Sequence, residues 1–389
     1  MGSERSILIV GAGMFGVTAA IELRRRGWRV TLLDPGPIPR PTAASNDISK
    51  VVRADYGADE LYTALGEASL LGWHLWNSQW GESLYHEDGF LLMRPDAMEP
   101  GGFERESFVK LAKRGFPVKR HDSVSLKEHF PAWAAGKFRD GYLSSRAGWA
   151  ESGNVLARLA VEAKEACVIV REGVTFARLL EDGPRVNGVV TADGKELRAD
   201  LVLVTGGAWT PTLLPHLSDV MWATAQSVFH FKVTNPAEWQ PPRFPVWAAD
   251  ISRTGWYGFP ALADGTLKVA NHGPGRRVHP DEPRVVWPGE EERFREFLRD
   301  TFPALADAPL IASRTCLYCD TFDGNFWMDH DPQHPGLVVA SGDSGHGFKF
   351  APVMGGLIAD VVEKKPNPFT ARFVWRERKS PAGEDARAK

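Results

Sequence analysis

The run Ile7-Leu8-Ile9-Val10-Gly11-Ala12-Gly13-Met14-Phe15-Gly16 decides how this chain folds. Four apolar residues predict a short buried strand. A G-x-G-x-x-G turn follows, and residues 17–27 carry apolar side chains at helical spacing. Residues 28–33 read as a second strand that ends in Asp34. Strand, glycine turn, helix, strand and acid stand in the order of a dinucleotide site. Gly11 permits the tight turn, Gly13 lets the backbone approach a pyrophosphate, and Gly16 allows the helix to pack on the strand. The helix N-terminus offers unpaired N–H groups to phosphates. Asp34 can accept hydrogen bonds from ribose hydroxyls. This stretch alone leaves NAD and FAD both open.

Outward from it, the proline-rich stretch 35–41 excludes helix and central strand. A helix is expected over 58–80, ending near Gly81, and a strand over 89–93. Proline-punctuated excursions and short helices fill 94–140. Alternating α and β return near residue 150, with a helix at 154–166, a strand at 167–170 and a short extended piece at 173–175. Residues 186–200 read as a small antiparallel excursion and 201–209 as a buried strand running into glycines. Strands dominate 220–320, with one helical segment near 289–301. The last buried strand is 337–342 and the last long helix 351–363. The nucleotide-binding layer is thus assembled from separated segments.

The length of 389 residues suggests two or three domains. A net charge of -3 argues against a nucleic-acid partner and a basic membrane-binding face. Arg24-Arg25-Arg26 reads as solvated surface. No apolar run approaches the roughly 18 residues of a membrane span, and the first strand starts too early to leave room for a signal peptide. Three cysteines, an odd number, do not suggest a disulfide scaffold, so a reducing cytoplasm is the expected location. Of the 14 tryptophans, several are available to line an aromatic pocket, but most are expected in packing.

Chemistry concentrates further along. Asp200-Leu201-Val202-Leu203-Val204-Thr205-Gly206-Gly207-Ala208 resembles the strand that flavoproteins of the glutathione-reductase-like group place beside FAD. An NAD-only dehydrogenase has no need of it. Arg314-Thr315-Cys316-Leu317-Tyr318-Cys319 is followed by Ser341-Gly342-Asp343-Ser344-Gly345-His346-Gly347-Phe348-Lys349-Phe350. Cys316-x-x-Cys319 by itself reads as a redox pair or half a metal site, but no second cysteine pair completes a zinc site, and no metal is expected. Asp343, Ser344 and His346 sit too close together in one loop for triad geometry, and no G-x-S-x-G elbow occurs.

Taken with the N-terminal fingerprint, C-x-Y followed by S-G-H-G-F-K-F resembles the monomeric sarcosine oxidase family of FAD-dependent amine oxidases. Pipecolate oxidases, saccharopine oxidases and fructosyl amino acid oxidases (amadoriases) belong to it. The resemblance runs over nearly the whole chain. It implies that Cys316 bonds covalently to the flavin 8α-methyl, that Lys268 activates oxygen, and that Arg53 and Lys349 face the substrate carboxylate. It places Lys50, Tyr318 and His272 among the residues at the reacting centre, His272 lying on the same face of its strand as Lys268. Cys319, outside the motif, is expected to be an unreactive buried thiol. FAD contacts are implied at Gly11, Gly13, Met14, Phe15, Gly16 and Asp34, and then at Ala44, Ser45, Ser49 and Lys50. Further contacts are implied at Val174, Gly207, Trp209 and Cys316, and at Gly342, Gly345, Gly347, Phe348 and Lys349. Lys50 departs from the pattern: sarcosine oxidases carry arginine there, whereas Asn46-Asp47-Ile48-Ser49-Lys50 resembles the amadoriases. That leaves the substrate open.

The expected fold is α/β, a Rossmann-like FAD-binding domain of the glutathione-reductase-like group with a strand-rich α+β substrate domain inserted. The FAD domain is assigned 1–85, 145–218 and 320–375, the substrate domain 86–144 and 219–319, and a disordered tail 376–389. The expected activity is oxidation of a secondary or N-substituted α-amino acid: hydride to flavin N5, imine hydrolysis, and oxygen reduced to hydrogen peroxide. A cytoplasmic monomer is expected, taking a small amino acid and molecular oxygen as its partners, with no nucleic acid and no membrane. The alternatives are an amadoriase, an NAD-linked dehydrogenase and a non-catalytic flavin-binding protein.

Overall fold

The computed structural model describes residues 5–378 and Arg387. Ser6–Val10 lies in the middle of a six-stranded sheet. The strand order is Trp327–His330, Leu337–Ser341, Leu201–Val204, Ser6–Val10, Arg29–Asp34 and Ile169–Glu172. All neighbours are parallel except the edge strand Trp327–His330. Every residue of Ser6–Val10 is buried, as the uninterrupted apolar run requires for a strand covered on both faces. Period-two alternation sends Ile7 and Ile9 into one core with the helices Met14–Arg25 and Ala351–Val362, while Leu8 and Val10 meet Val186, Val189 and Met221 on the other side.

The second large sheet has nine strands. Its spine is the antiparallel pair Met221–Lys232 and Leu310–Thr321, in register from Met221↔Thr321 to His230↔Ala312, with a shift before Phe231↔Leu310. Thr266–Asn271 pairs on the other edge of Met221–Lys232, with His230 opposite Lys268. One face is apolar: Phe229, Phe231, Leu267, Val269 and Trp247 pack under Phe294 and Leu298 of the helix Glu290–Thr301. Alternation therefore turns Lys268, Ala270, Cys316 and Tyr318 to the opposite face. A small third sheet, Lys50–Val52, Gly148–Ala150 and Tyr85–His86, holds the segment that starts at Lys50.

Two expectations change in detail. The strand foreseen at 167–170 is Ile169–Glu172, because Cys167 turns the chain out of the helix Ser152–Glu165 at a φ of 63°. Most of the tail foreseen as disordered lies outside the described residues, but Arg376 is fixed by two hydrogen bonds to Asp323, at 2.8 and 2.7 Å. Of the tryptophans, Trp73, Trp247 and Trp327 are core, and Trp209 lines the main cavity. Among the described residues, no helix is long and apolar enough to cross a membrane.

Candidate functional site

A cavity of about 580 Å³ opens at the carboxyl end of Ser6–Val10. That is where a parallel α/β sheet presents its loops to a ligand. Gly11, Gly13, Met14 and Phe15 form one wall and Asp34 the next. Gly11 takes a φ of 105°, and a Cβ there would lie 2.6 Å from the Thr205 carbonyl oxygen, so only glycine fits. A Cβ on Gly16 would lie 1.9 Å from the Gly11 carbonyl oxygen; Gly16 sits behind the wall and sets the close approach of helix to turn. The Asp34 carboxylate accepts from the Ala12 N–H at 2.9 Å and the Gly36 N–H at 3.0 Å. Burial raises its pKa, and those two N–H groups and Arg40 oppose the rise.

Ala44, Ser45, Lys50, Val174, Gly207 and Trp209 continue the lining. Ser45 Oγ accepts the Met14 N–H at the helix start, 3.0 Å away. At the far end come Cys316 and Tyr318, then Gly342, Gly345 and Phe348. Ser49, Gly347 and Lys349 stand behind the surface. Ser49 presents its carbonyl to Lys268, and Gly347 packs against Asp343 and the Phe15 ring. A cavity lined by a glycine turn, a helix N-terminus and a fixed carboxylate fits a dinucleotide such as FAD.

The two cysteines of the strand Leu310–Thr321 point opposite ways. Cys316 lines the cavity and packs with Val228, Ala270 and Tyr318. Cys319 is buried with Val10 and Trp327, and burial pushes its thiol up to about 12. Spacing of three along a strand separates the side chains, so Cys316-x-x-Cys319 forms neither a redox pair nor one side of a metal site.

Lys268 is 2% exposed. Its ammonium donates to Asp47 Oδ2 at 2.7 Å and to the Ser49 carbonyl at 2.6 Å, and it lies 4.7 Å from the Phe259 ring centre. Burial brings its pKa down to about 8, with Asp47 pulling upward and Lys50 downward. Asp47 carries the opposite balance. Burial would raise its pKa, but Lys268, Lys50 and Arg314 outweigh burial and hold it well below the usual carboxylate range. Lys50 Nζ stands 3.9 Å from Asp47. His230, opposite Lys268 in the sheet, is lowered to about 4 by burial and, further, by Lys268 and Arg314, against the pull of Asp47.

A second group of cations gathers around Tyr56. The Arg53 guanidinium lies 4.9 Å from the Tyr56 ring centre and Lys349 Nζ 5.5 Å from the same ring. Lys349 also donates to the His346 carbonyl at 2.7 Å. Arg53 Nη1 is buried without a hydrogen-bond partner. The nearby Asp55 carboxylate takes the Tyr142 hydroxyl at 2.6 Å, and burial raises its pKa against the opposing charge of Arg53. His272 Nδ1 lies 3.4 Å from the Tyr318 hydroxyl. Burial, then Tyr257 and Cys316, hold that phenol far above its ordinary pKa, which keeps it a neutral donor.

Sequence reading passed over four residues here. Asp47, the counter-charge of Lys268, was visible only as part of N-D-x-x-K. Tyr56, the ring shared by two cations, carried no signal of its own. Arg40 lines the cavity and lies 4.6 Å from the Trp209 ring, and its place after Asp34 in a loop was the available clue. Asp343 also lines the cavity, accepts the Cys319 N–H at 3.0 Å, and is pushed up to about 6 by burial.

Comparison with known proteins follows the same geometry. The family model described as "DAO: FAD dependent oxidoreductase" matches residues 6–361. Monomeric sarcosine oxidase of Bacillus sp. (strain B-0618) is 25% identical over 368 residues, covering 93% of each chain. L-saccharopine oxidase of Schizosaccharomyces pombe is 27% identical over 416 residues, covering 96% of this chain and 94% of that protein. The solved structure of the deglycating enzyme fructosamine oxidase (Amadoriase II) from Aspergillus fumigatus aligns with a TM-score of 0.82 at 28% identity. That alignment covers 96% of this chain and 89% of the other.

Proposed function

The chain belongs to the DAO family of FAD-dependent oxidoreductases, and from that premise we propose that it oxidises the C–N bond of an N-substituted α-amino acid with oxygen as acceptor. Bound in the cavity, FAD would accept the two electrons of the C–H bond beside the nitrogen, leaving an imine for hydrolysis, and would pass them to oxygen to give hydrogen peroxide. The observation that carries the amino-acid reading is Arg53, which keeps a buried N–H without a partner beside Lys349 and over the same tyrosine ring. An unsatisfied guanidinium N–H costs free energy unless an acceptor reaches it. A planar carboxylate is the acceptor its fork suits. A carboxylate held there fixes the α-carbon, so binding becomes orientation. Tyr318 and His272 would close the pocket around the amine. Cys316 is the residue we assign to covalent attachment of the flavin, from its place on the cavity wall.

Lys268 supports the choice of oxygen. A buried ammonium fixed by Asp47 is a charge that would stabilise an anionic oxygen species formed beside it. No strong base is needed to begin, because the neutral amine loses hydride directly.

Lys50 favours a second reading, in which the substrate is a glycated amino acid. It lies at Asp47 in the N-D-x-x-K pattern that resembles the amadoriases, and Amadoriase II shares the fold at 28% identity. One peroxide-coupled screen separates the two, using sarcosine, pipecolate, proline, saccharopine and fructosyl-lysine. Turnover of any of the first four, with much slower turnover of the matching decarboxylated amine, is the expected result. Fructosyl-lysine alone would select the second reading. Equal rates for acid and decarboxylated amine would end the carboxylate assignment.

A further inference from the structure

At the other end of the strand Leu337–Ser341 from the cavity, the turn after Trp327–His330 brings Asp331 and His334 against His216. Among the described residues, these three are the group of histidine, cysteine or acidic side chains whose ligand atoms gather within 4.8 Å of one another. Their arrangement is built rather than casual. Asp331 Oδ1 accepts the N–H groups of Gln333 at 2.8 Å and His334 at 3.1 Å, which locks the carboxylate and leaves Oδ2 facing both imidazoles. Oδ2 is 2.7 Å from His216 Nε2 and 3.1 Å from His334 Nδ1. His334 Nδ1 is buried yet makes no hydrogen bond of acceptable direction. That nitrogen therefore stands 3.1 Å from a carboxylate oxygen with its hydrogen-bonding capacity unused. Trp375 stacks on the His216 ring, and both imidazoles remain about a quarter exposed while the carboxylate is sealed.

We propose that His216 Nε2, Asp331 Oδ2 and His334 Nδ1 bind one zinc-class divalent cation, with water completing its coordination on the exposed side. Neutral imidazole and carboxylate are the donors such an ion takes, at roughly 2.0–2.2 Å. Tetrahedral bonds of that length set ligand atoms about 3.3 Å apart, against the 2.7 and 3.1 Å that now separate Oδ2 from the two imidazole nitrogens. The ion would tie the loop after Leu201–Val204 to the turn between the last two strands of the six-stranded sheet. Its role is structural and separate from the oxidase reading. It departs from the sequence expectation of no metal, which weighed the cysteines alone.

The test uses the flavin-loaded full chain after treatment with a chelator. Titration with Zn²⁺ is expected to show one saturable equivalent by calorimetry and a melting temperature that rises with Zn²⁺, while Mg²⁺ does neither. The variants His216→Asn and His334→Gln, and the two combined, should keep the flavin spectrum and turnover but lose that equivalent. Should the combined variant fail to fold, each single variant must still weaken binding. Absence of a saturable equivalent in the unsubstituted chain, or its survival in the variants, overturns the proposal.

Discussion

Lys268 is buried and Arg53 half-buried with one nitrogen sealed from solvent, yet the chain answers their positive charges in opposite ways. Lys268 has a carboxylate 2.7 Å away and a carbonyl at 2.6 Å, so its hydrogen bonds are provided from within. Arg53 is surrounded by the faces of Tyr56, Phe90 and Phe103, and one of its N–H groups has no acceptor. A self-contained ion pair is a permanent part of the electrostatic field. A guanidinium with an unanswered N–H is one arm of a pair whose other arm arrives from outside. Under the proposed function, Lys268 is assigned to the oxygen chemistry and Arg53 to substrate recognition.

Both roles presume a flavin held in one place between them, so the largest break comes from releasing it. Acid-precipitated protein is expected to keep its yellow colour, Cys316→Ala to lose it completely, and Cys319→Ala to keep it. Flavin released in full from the folded, unsubstituted chain would refute attachment at Cys316 while leaving the comparison of the two cations standing.

The next largest effect falls on Lys268. Lys268→Met should slow reaction of the reduced enzyme with oxygen by roughly 100- to 1000-fold, the usual cost of removing one well-placed charge. Anaerobic reduction by substrate should be nearly unchanged in stopped-flow traces. Equal damage to both half-reactions would make Lys268 a structural cation and erase the distinction.

Arg53 should behave in reverse. Arg53→Ala removes a charged hydrogen bond to the substrate, worth about 10- to 100-fold in apparent KM, and it should also slow anaerobic reduction, because the α-carbon is no longer held. Adding Lys349→Ala should cost less than the two single effects combined, since both act on one carboxylate. Strict additivity would mean that they do not share it.

The parts legible in the sequence were those encoded locally. The glycine turn with its flanking strands and Asp34 dictated the central strand, whereas Cys319 was set apart from Cys316 only by falling outside the motif, and the fold sends the two to different cores. Arg53, Lys268 and Lys349 were reached through motif likeness, and only the folded chain shows what surrounds each. Asp47 lies 221 residues from Lys268 and meets it through sheet pairing that no local pattern announces. Tyr56 and the His216–Asp331–His334 cluster were hidden for the same reason: each is made by the meeting of distant segments. The short piece at 167–170 shifted because a left-handed residue, Cys167, was indistinguishable from strand in an apolar run.

The smallest effect separates the charge on Lys268 from its mere presence. Burial brings its pKa down to about 8, and Asp47 is the main group resisting that fall. The ammonium is present below this value and is lost as pH rises through it, so the rate of reaction with oxygen should decline above about pH 8. Asp47→Asn keeps the side chain's size and an acceptor for the ammonium but removes the negative charge. Desolvation then acts with less opposition, and the inflection must move to lower pH. Near pH 6 the variant should lose only a few-fold in oxidative rate, whereas near pH 8 the gap should widen. Arg53 predicts no such profile, because a guanidinium stays charged throughout this range. An inflection that stays in place in Asp47→Asn would show that the carboxylate does not set the charge of Lys268, and the self-contained pair would have to be abandoned as the source of the field.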